Sequence, residues 1–176
     1  GYSKVEKFPF ATTTTDATNV GNLLSVARYS QAASRSFTHC YVAGGQNPLS
    51  SDQTNIEKFP SSADASASDV GDLTQGGIAA GNTDLSGGQG YASGRYTVPG
   101  ATTNTIEKFP FATDENASDV GDLTVSRGYA AGQSSTTHGY VTAGYPNSNV
   151  IDKFPFSTDE NATDVGDLTQ GRYSVD

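Results

Sequence analysis

The chain has 176 residues, of which 34% are hydrophobic and 20 are glycine, and a formal net charge of -9 from 19 acidic and 10 basic residues. That length suffices for one domain, and a composition so rich in glycine and small polar residues favours many short strands joined by turns over long helices. The acidic excess repels phosphate backbones and speaks against a nucleic-acid partner. No apolar run reaches the roughly 20 residues of a membrane helix, so no membrane partner is expected, and the single cysteine, Cys40, allows no disulfide within the chain.

Four elements recur in fixed order, which makes internal repetition the primary signal. The first is Val5-Glu6-Lys7-Phe8-Pro9-Phe10. It returns as Ile56-Glu57-Lys58-Phe59-Pro60-Ser61, Ile106-Glu107-Lys108-Phe109-Pro110-Phe111 and Ile151-Asp152-Lys153-Phe154-Pro155-Phe156, at steps of 51, 50 and 45 residues. The second is Asn19-Val20-Gly21-Asn22-Leu23, returning as Asp69–Leu73, Asp119–Leu123 and Asp164–Leu168. The third is an Arg or Gly followed by small residues, at Ala27–Tyr29, Gly76–Ala80, Ser126–Ala131 and Gly171–Tyr173. The fourth is an aromatic strand closing on glycine, at Thr38–Gly45, Gly90–Arg95 and Thr137–Gly144, and it occurs three times only.

Each unit therefore offers four short strands, and an all-β fold follows. Pro110 and its equivalents lack a backbone donor and belong at strand ends or bulges. Asp114-Glu115-Asn116 and Asp159-Glu160-Asn161 read as polar turns. The segments Gly45–Asn55, Gly94–Thr105 and Tyr145–Asn149 read as loops of variable length. One unit cannot bury its apolar positions alone, so neighbouring sheets must stack, with Ile106, Phe109, Phe111, Val120 and Leu123 between them.

The glycine doublet Gly44-Gly45, the carboxylate of Ile106-Glu107-Lys108-Phe109 and the Asp122-Leu123 to Arg127 passage resemble the kelch family of β-propeller repeats across essentially the whole chain. Two features depart from it: there is no tryptophan, and Gly94-Arg95 replaces the doublet in the second unit. The Phe-Pro-Phe and Asp-Glu-Asn-Ala-Thr-Asp-Val-Gly-Asp-Leu-Thr wording is also similar to tandem repeats of structural proteins of marine bacteriophages. The resemblance implies four-stranded blades in a single repeat-built domain or fragment over residues 1–176, with units beginning near 5, 56, 106 and 151 and the fourth incomplete. Four blades result if the ring closes within one chain. A seven-bladed ring from two chains, or part of a longer propeller, are the alternatives, the last favoured by a sequence that starts at glycine and has no methionine.

Candidate chemistry is sparse. The hard oxygens of Asp114, Asn116, Asp119, Asp159, Asn161 and Asp164 suit a calcium ion, although the spacing of a known calcium loop is missing. Tyrosines beside polar loop residues suit a sugar or protein partner, which singles out Tyr41, Gln46, Asn47, Tyr91, Arg95, Tyr96, Tyr140, Tyr145 and Asn147. His39 and His138 occupy equivalent places and read as hydrogen-bonding strand residues. No cofactor and no catalytic cluster are expected. The expected role is a non-enzymatic structural or decoration protein of a virion or extracellular assembly, with other chains of the assembly, including a second copy of this one, as partners. The alternative is a glycan- or receptor-binding module.

Overall fold

The structure, a computed structural model, describes residues 3–9, 16–22, 27–49 and 51–173. Among these the secondary structure is all strand. Sheet I pairs β1 (Lys4–Lys7) with β2 (Thr18–Asn22). Sheet II runs β3 (Ala32–Arg35), β4 (His39–Ala43), β5 (Asn55–Pro60) and β6 (Ser68–Asp72). Sheet III runs β7 (Ile78–Asp84), β8 (Gln89–Thr97), β9 (Ala101–Pro110) and β10 (Ser118–Asp122), and sheet IV runs β11 (Ala131–Ser134), β12 (His138–Thr142), β13 (Val150–Pro155) and β14 (Thr163–Asp167). All pairs are antiparallel and each four-stranded sheet is a simple meander.

The sheets are phase-shifted against the sequence repeat. A complete sheet opens after the Arg-or-Gly element and closes with the Val-Gly element, so the Phe-Pro segment supplies its third strand, not its first. The prolines sit at the last residue of β5, β9 and β13, opposite His39, Gln89 and His138. Their missing donor thus costs no ladder hydrogen bond further along.

The Val-Gly element has a defined mechanical role. In every sheet the register slips so that Val20, Val70, Val120 or Val165 is the extra residue of a β-bulge beside the acid of the third strand. The Asp or Asn two residues before each glycine accepts from that glycine's N–H, as in Asp119 Oδ1 to Gly121 N at 3.2 Å and Asp164 Oδ1 to Gly166 N at 3.0 Å. A bulge bends its strand and re-aims the side chain opposite. Here that side chain is Glu57, Glu107 or Asp152, each fully buried.

One expected loop is a hairpin. Residues 94–105 continue β8 and β9, with Arg95 opposite Thr103, Tyr96 opposite Thr102 and Thr97 opposite Ala101, around a turn at Val98-Pro99-Gly100. Tyr96, Thr97, Thr102 and Thr103 are good strand formers, so the added length lengthens the ladder.

Sheets II and III enclose Tyr41, Ile56, Leu73, Ala92, Phe109 and Ala117, while sheets III and IV enclose Tyr91, Ile106, Leu123, Val141, Phe154 and Ala162. Of the residues expected between sheets, Ile106, Phe109 and Leu123 are buried, and Phe111 and Val120 pack half-buried against the two clusters. Tyr41 stacks on Phe111 at 4.5 Å and Tyr91 on Phe156 at 5.1 Å, so the same joint is built twice from a second-strand tyrosine and the next sheet's Phe-Pro-Phe. Full burial of a ring such as Phe109 or Phe154 contributes about 1.5–3 kcal/mol. At the opposite edge the first strands are tied together, Ser34 Oγ donating to Asn82 O at 2.8 Å and Asn82 Nδ2 to Gln133 O at 2.6 Å.

Backbone also meets backbone. A Cβ on Gly21, Gly71 or Gly121 would lie 2.3, 2.4 or 2.5 Å from the carbonyl oxygen of Ala65, Glu115 or Glu160 in the next sheet, whereas one on Gly166 would meet nothing within 4 Å. Gly121 and Gly166 have φ of +154° and +148°, so backbone strain from a side chain is common to both. Gly121→Ala is therefore expected to destabilise the protein by about 2 kcal/mol more than Gly166→Ala, the excess reporting the inter-sheet approach. Urea unfolding of the two variants measures the difference.

Candidate functional site

Each complete sheet carries one buried guanidinium–carboxylate pair. Arg28 Nη2 lies 2.6 Å from Glu57 Oε2, Arg127 Nη2 lies 2.8 Å from Asp152 Oδ2, and Arg95 pairs with Glu107, all with side chains fully withdrawn from solvent. Arg28 and Arg127 enter from the segment leading into the first strand. They also donate to carbonyls of their own sheet, Arg28 to Gly44 O at 3.0 Å and Arg127 to Val141 O at 2.9 Å. Sheet III has glycine at that place, Gly76-Gly77, and its guanidinium comes instead from β8. Gly94-Arg95, which breaks the sequence pattern, is thus the replacement cation for Glu107. Burial lowers the Arg95 guanidinium to about 10, with Asp119 opposing, and lowers Arg127 as well, with Asp152 opposing.

The carboxylates also receive the preceding sheet. Thr74, just past β6, donates its N–H and hydroxyl to Glu107. Thr124, just past β10, donates the same two groups to Asp152, at 3.0 Å and 2.6 Å. One acid is therefore held from two sheets at once, by the cation and donors that a buried carboxylate requires.

A second, solvent-facing set of ties repeats beside it. Lys7 pairs with Asp64, Lys58 with Asp114 and Lys108 with Asp159, each lysine reaching the acidic turn of the next sheet. Ala67, Ala117 and Ala162 N–H groups donate at 2.8 Å to the carbonyls of Asn22, Asp72 and Asp122. In return, Asp72 N donates to Asn116 Oδ1 at 2.9 Å and Asp122 N to Asn161 Oδ1 at 3.0 Å.

The six residues singled out for calcium are placed by these ties. Asp114 and Asp159 face lysines, Asn116 and Asn161 cap the neighbouring sheet's last strand, and Asp119 and Asp164 hold their own bulges. Among the described residues no three His, Cys, Asp or Glu side chains form a group able to hold a metal. His39 and His138 lie in sheets II and IV, with Nδ1 within 2.9 Å and 2.8 Å of the Thr38 and Thr137 hydroxyls.

No family model matches this chain, and no curated protein matches it.

The residues singled out for a sugar or receptor are not gathered in one place. Tyr41, Tyr91 and Arg95 lie inside the stack. Burial raises both tyrosine hydroxyls. Gln46 and Asn47 are buried and shape their own loop, Gln46 Nε2 donating to Asp52 Oδ1 at 2.9 Å and Asn47 Oδ1 accepting from Leu49 and Ser51 N–H groups at 3.0 Å. Tyr140 is half-buried on β12 and Asn147 is exposed at φ +58°. Tyr96 and Tyr145 do come together, and the structure adds Tyr129 and Tyr173 to them. Ring centroids are 5.0 Å apart for Tyr96–Tyr129, 5.7 Å for Tyr96–Tyr145 and 5.6 Å for Tyr145–Tyr173. Tyr145 and Tyr173 keep 38% and 48% of their surface open, making a row of rings with an accessible end.

Removing one member of a buried pair leaves an uncompensated charge. Glu107→Gln is expected to lower the unfolding free energy by about 3–5 kcal/mol, and Arg95→Met with Glu107→Leu to recover most of it. Thermal and urea unfolding of the single and double variants check both values.

Proposed function

We propose that this chain is a kelch-like, propeller-type repeat module with a structural, non-enzymatic role, a building or decoration component of a virion or extracellular assembly. The observation that carries the reading is the use of the chain's charged groups. The buried acids and arginines, the lysines and the turn acids serve one joint that recurs from sheet to sheet, with Arg95 of β8 replacing the opening arginine in sheet III. The three buried acids are each paired with an arginine, and Glu107 and Asp152 are also held by a threonine of the preceding sheet, so a substrate would have to displace packed sheet to reach them, and a titratable group held in a structural pair is poorly placed for proton transfer. Repetition of a single packing solution multiplies surface and stiffness, as repeat architectures do.

Mass spectrometry of purified virions and of the extracellular fraction from the source culture tests the role. Peptides such as the one spanning residues 109–127, recovered in fixed ratio to other particle proteins, support it. Recovery only from the soluble interior of cells overturns it.

The tyrosine row favours a second reading, a glycan- or receptor-binding face, because the partly open rings of Tyr145 and Tyr173, with the exposed Asn147 in the same loop as Tyr145, offer stacking and hydrogen bonding together. The chain has no tryptophan, so its intrinsic emission comes from tyrosine. On this reading a glycan from a defined panel quenches or enhances that emission, and Tyr145→Ala weakens its binding about tenfold or more. A panel that leaves emission unchanged at millimolar sugar removes the reading.

A further inference from the structure

The joint between sheets has two halves, and sheets I and IV each present one half that has no counterpart among the described residues. In sheet IV the acid Asp152 is gripped by Thr124 and Arg127, which follow the Val-Gly-Asp-Leu of sheet III at a spacing of Thr-x-x-Arg. The same words follow sheet IV: Val165-Gly166-Asp167-Leu168, then Thr169 and Arg172 at the same spacing. Yet Arg172 is exposed, its only described side-chain hydrogen bond going to Gln170 O at 3.4 Å, and it has no carboxylate among the described residues.

The other half lies on sheet I. Glu6 holds the place of Glu57, Glu107 and Asp152, beside the same bulge, yet it is exposed and has no cation partner among the described residues. Ala17 precedes β2 as Ala67, Ala117 and Ala162 precede β6, β10 and β14. Those three are buried against the preceding sheet, while Ala17 is open.

Among the described residues no sheet covers the face of sheet IV that would receive one. Gly166 faces nothing within 4 Å, Leu168 and Tyr140 are only half-buried, and a cleft of about 520 Å³ lies there, lined by Ala131, Gln133, Thr142 and Thr169.

We propose that sheet I of a second copy of this chain docks on this face, with Glu6 of the second copy entering the grip of Thr169 and Arg172. The inference rests on the structural role proposed above and names its partner. It continues an interface already present between consecutive sheets, with the same acid, threonine and arginine. One tie is not reproduced. Where Asp64, Asp114 and Asp159 meet lysines, the first unit reads Thr12-Thr13-Thr14-Thr15, so Lys153 gains no acid at that register. The Glu6–Arg172 pair therefore carries the charge complementarity of the contact, and it is the pair to reverse. Because the two surfaces differ, the contact is head to tail and yields a ring or an open series.

Sedimentation velocity of the 176-residue chain across a micromolar concentration series, at low salt, reads the association. Wild type is expected to gain mass with concentration. Glu6→Arg and Arg172→Glu, each at an exposed position with an unchanged melting curve, are expected to weaken association at least about tenfold. Mixing the two variants in equal amounts is expected to restore it, since Arg172 of the first then meets Glu6 of the second. A wild type that stays monomeric overturns the proposal, as do reversals that associate like wild type or a mixture that stays apart. A monomeric chain still found on the particle refutes self-docking alone, and a self-docking chain absent from every particle refutes the structural role alone.

Discussion

The buried acid on the third strand of each sheet is the constraint around which the rest is arranged. A carboxylate withdrawn from water is tolerable only with a cation and hydrogen-bond donors in fixed places. Glu107 obtains its cation from its own sheet and its donors from Thr74 of the sheet before, and Asp152 does the same with Arg127 and Thr124. Sheet-to-sheet spacing and offset are then not free to slide, because a shift large enough to detach the threonine leaves the acid under-satisfied. The bulges at Val70, Val120 and Val165 turn the acid inward, and Gly71 and Gly121 let the neighbouring turn approach until backbone meets backbone.

Sheet III demonstrates that the requirement is for a charge at a place, not for a residue at a sequence position. Its opening segment has glycines where its neighbours have Arg28 and Arg127, and the cation arrives from β8 through Arg95. The same strand runs on into the long hairpin around Val98-Pro99-Gly100, so the unit that altered its cation source also has the longest ladder.

Much of this was legible in the sequence. Repetition at 51, 50 and 45 residues announces a stack of equivalent β units, the prolines mark strand ends, and Ile106, Phe109 and Leu123 are core by their apolar character. The pairing of Arg with the buried acid was hidden because its members lie 25 to 29 residues apart in sheets II and IV, and 12 in sheet III with the order of supply changed. The one available signal was compensation inside the chain, the unit without an opening arginine being the unit with Arg95. The roles of Tyr41 and Tyr91 were concealed for a related reason: a tyrosine beside a glycine-rich loop looks like a binding ring until its stacking partner, a phenylalanine of the next unit, is known. The acidic turns similarly look like cation ligands until the lysines opposite them are placed.

Each complete sheet carries both sides of the joint, a face that receives the next sheet and an acid that enters such a face. A whole unit added or removed in the middle of the stack would therefore leave both ends chemically as they are. Near-identical repeats are prone to such gains and losses during replication, and here a change in copy number would alter reach without requiring any new contact to be invented. Length becomes a trait that can drift or be selected independently of stability.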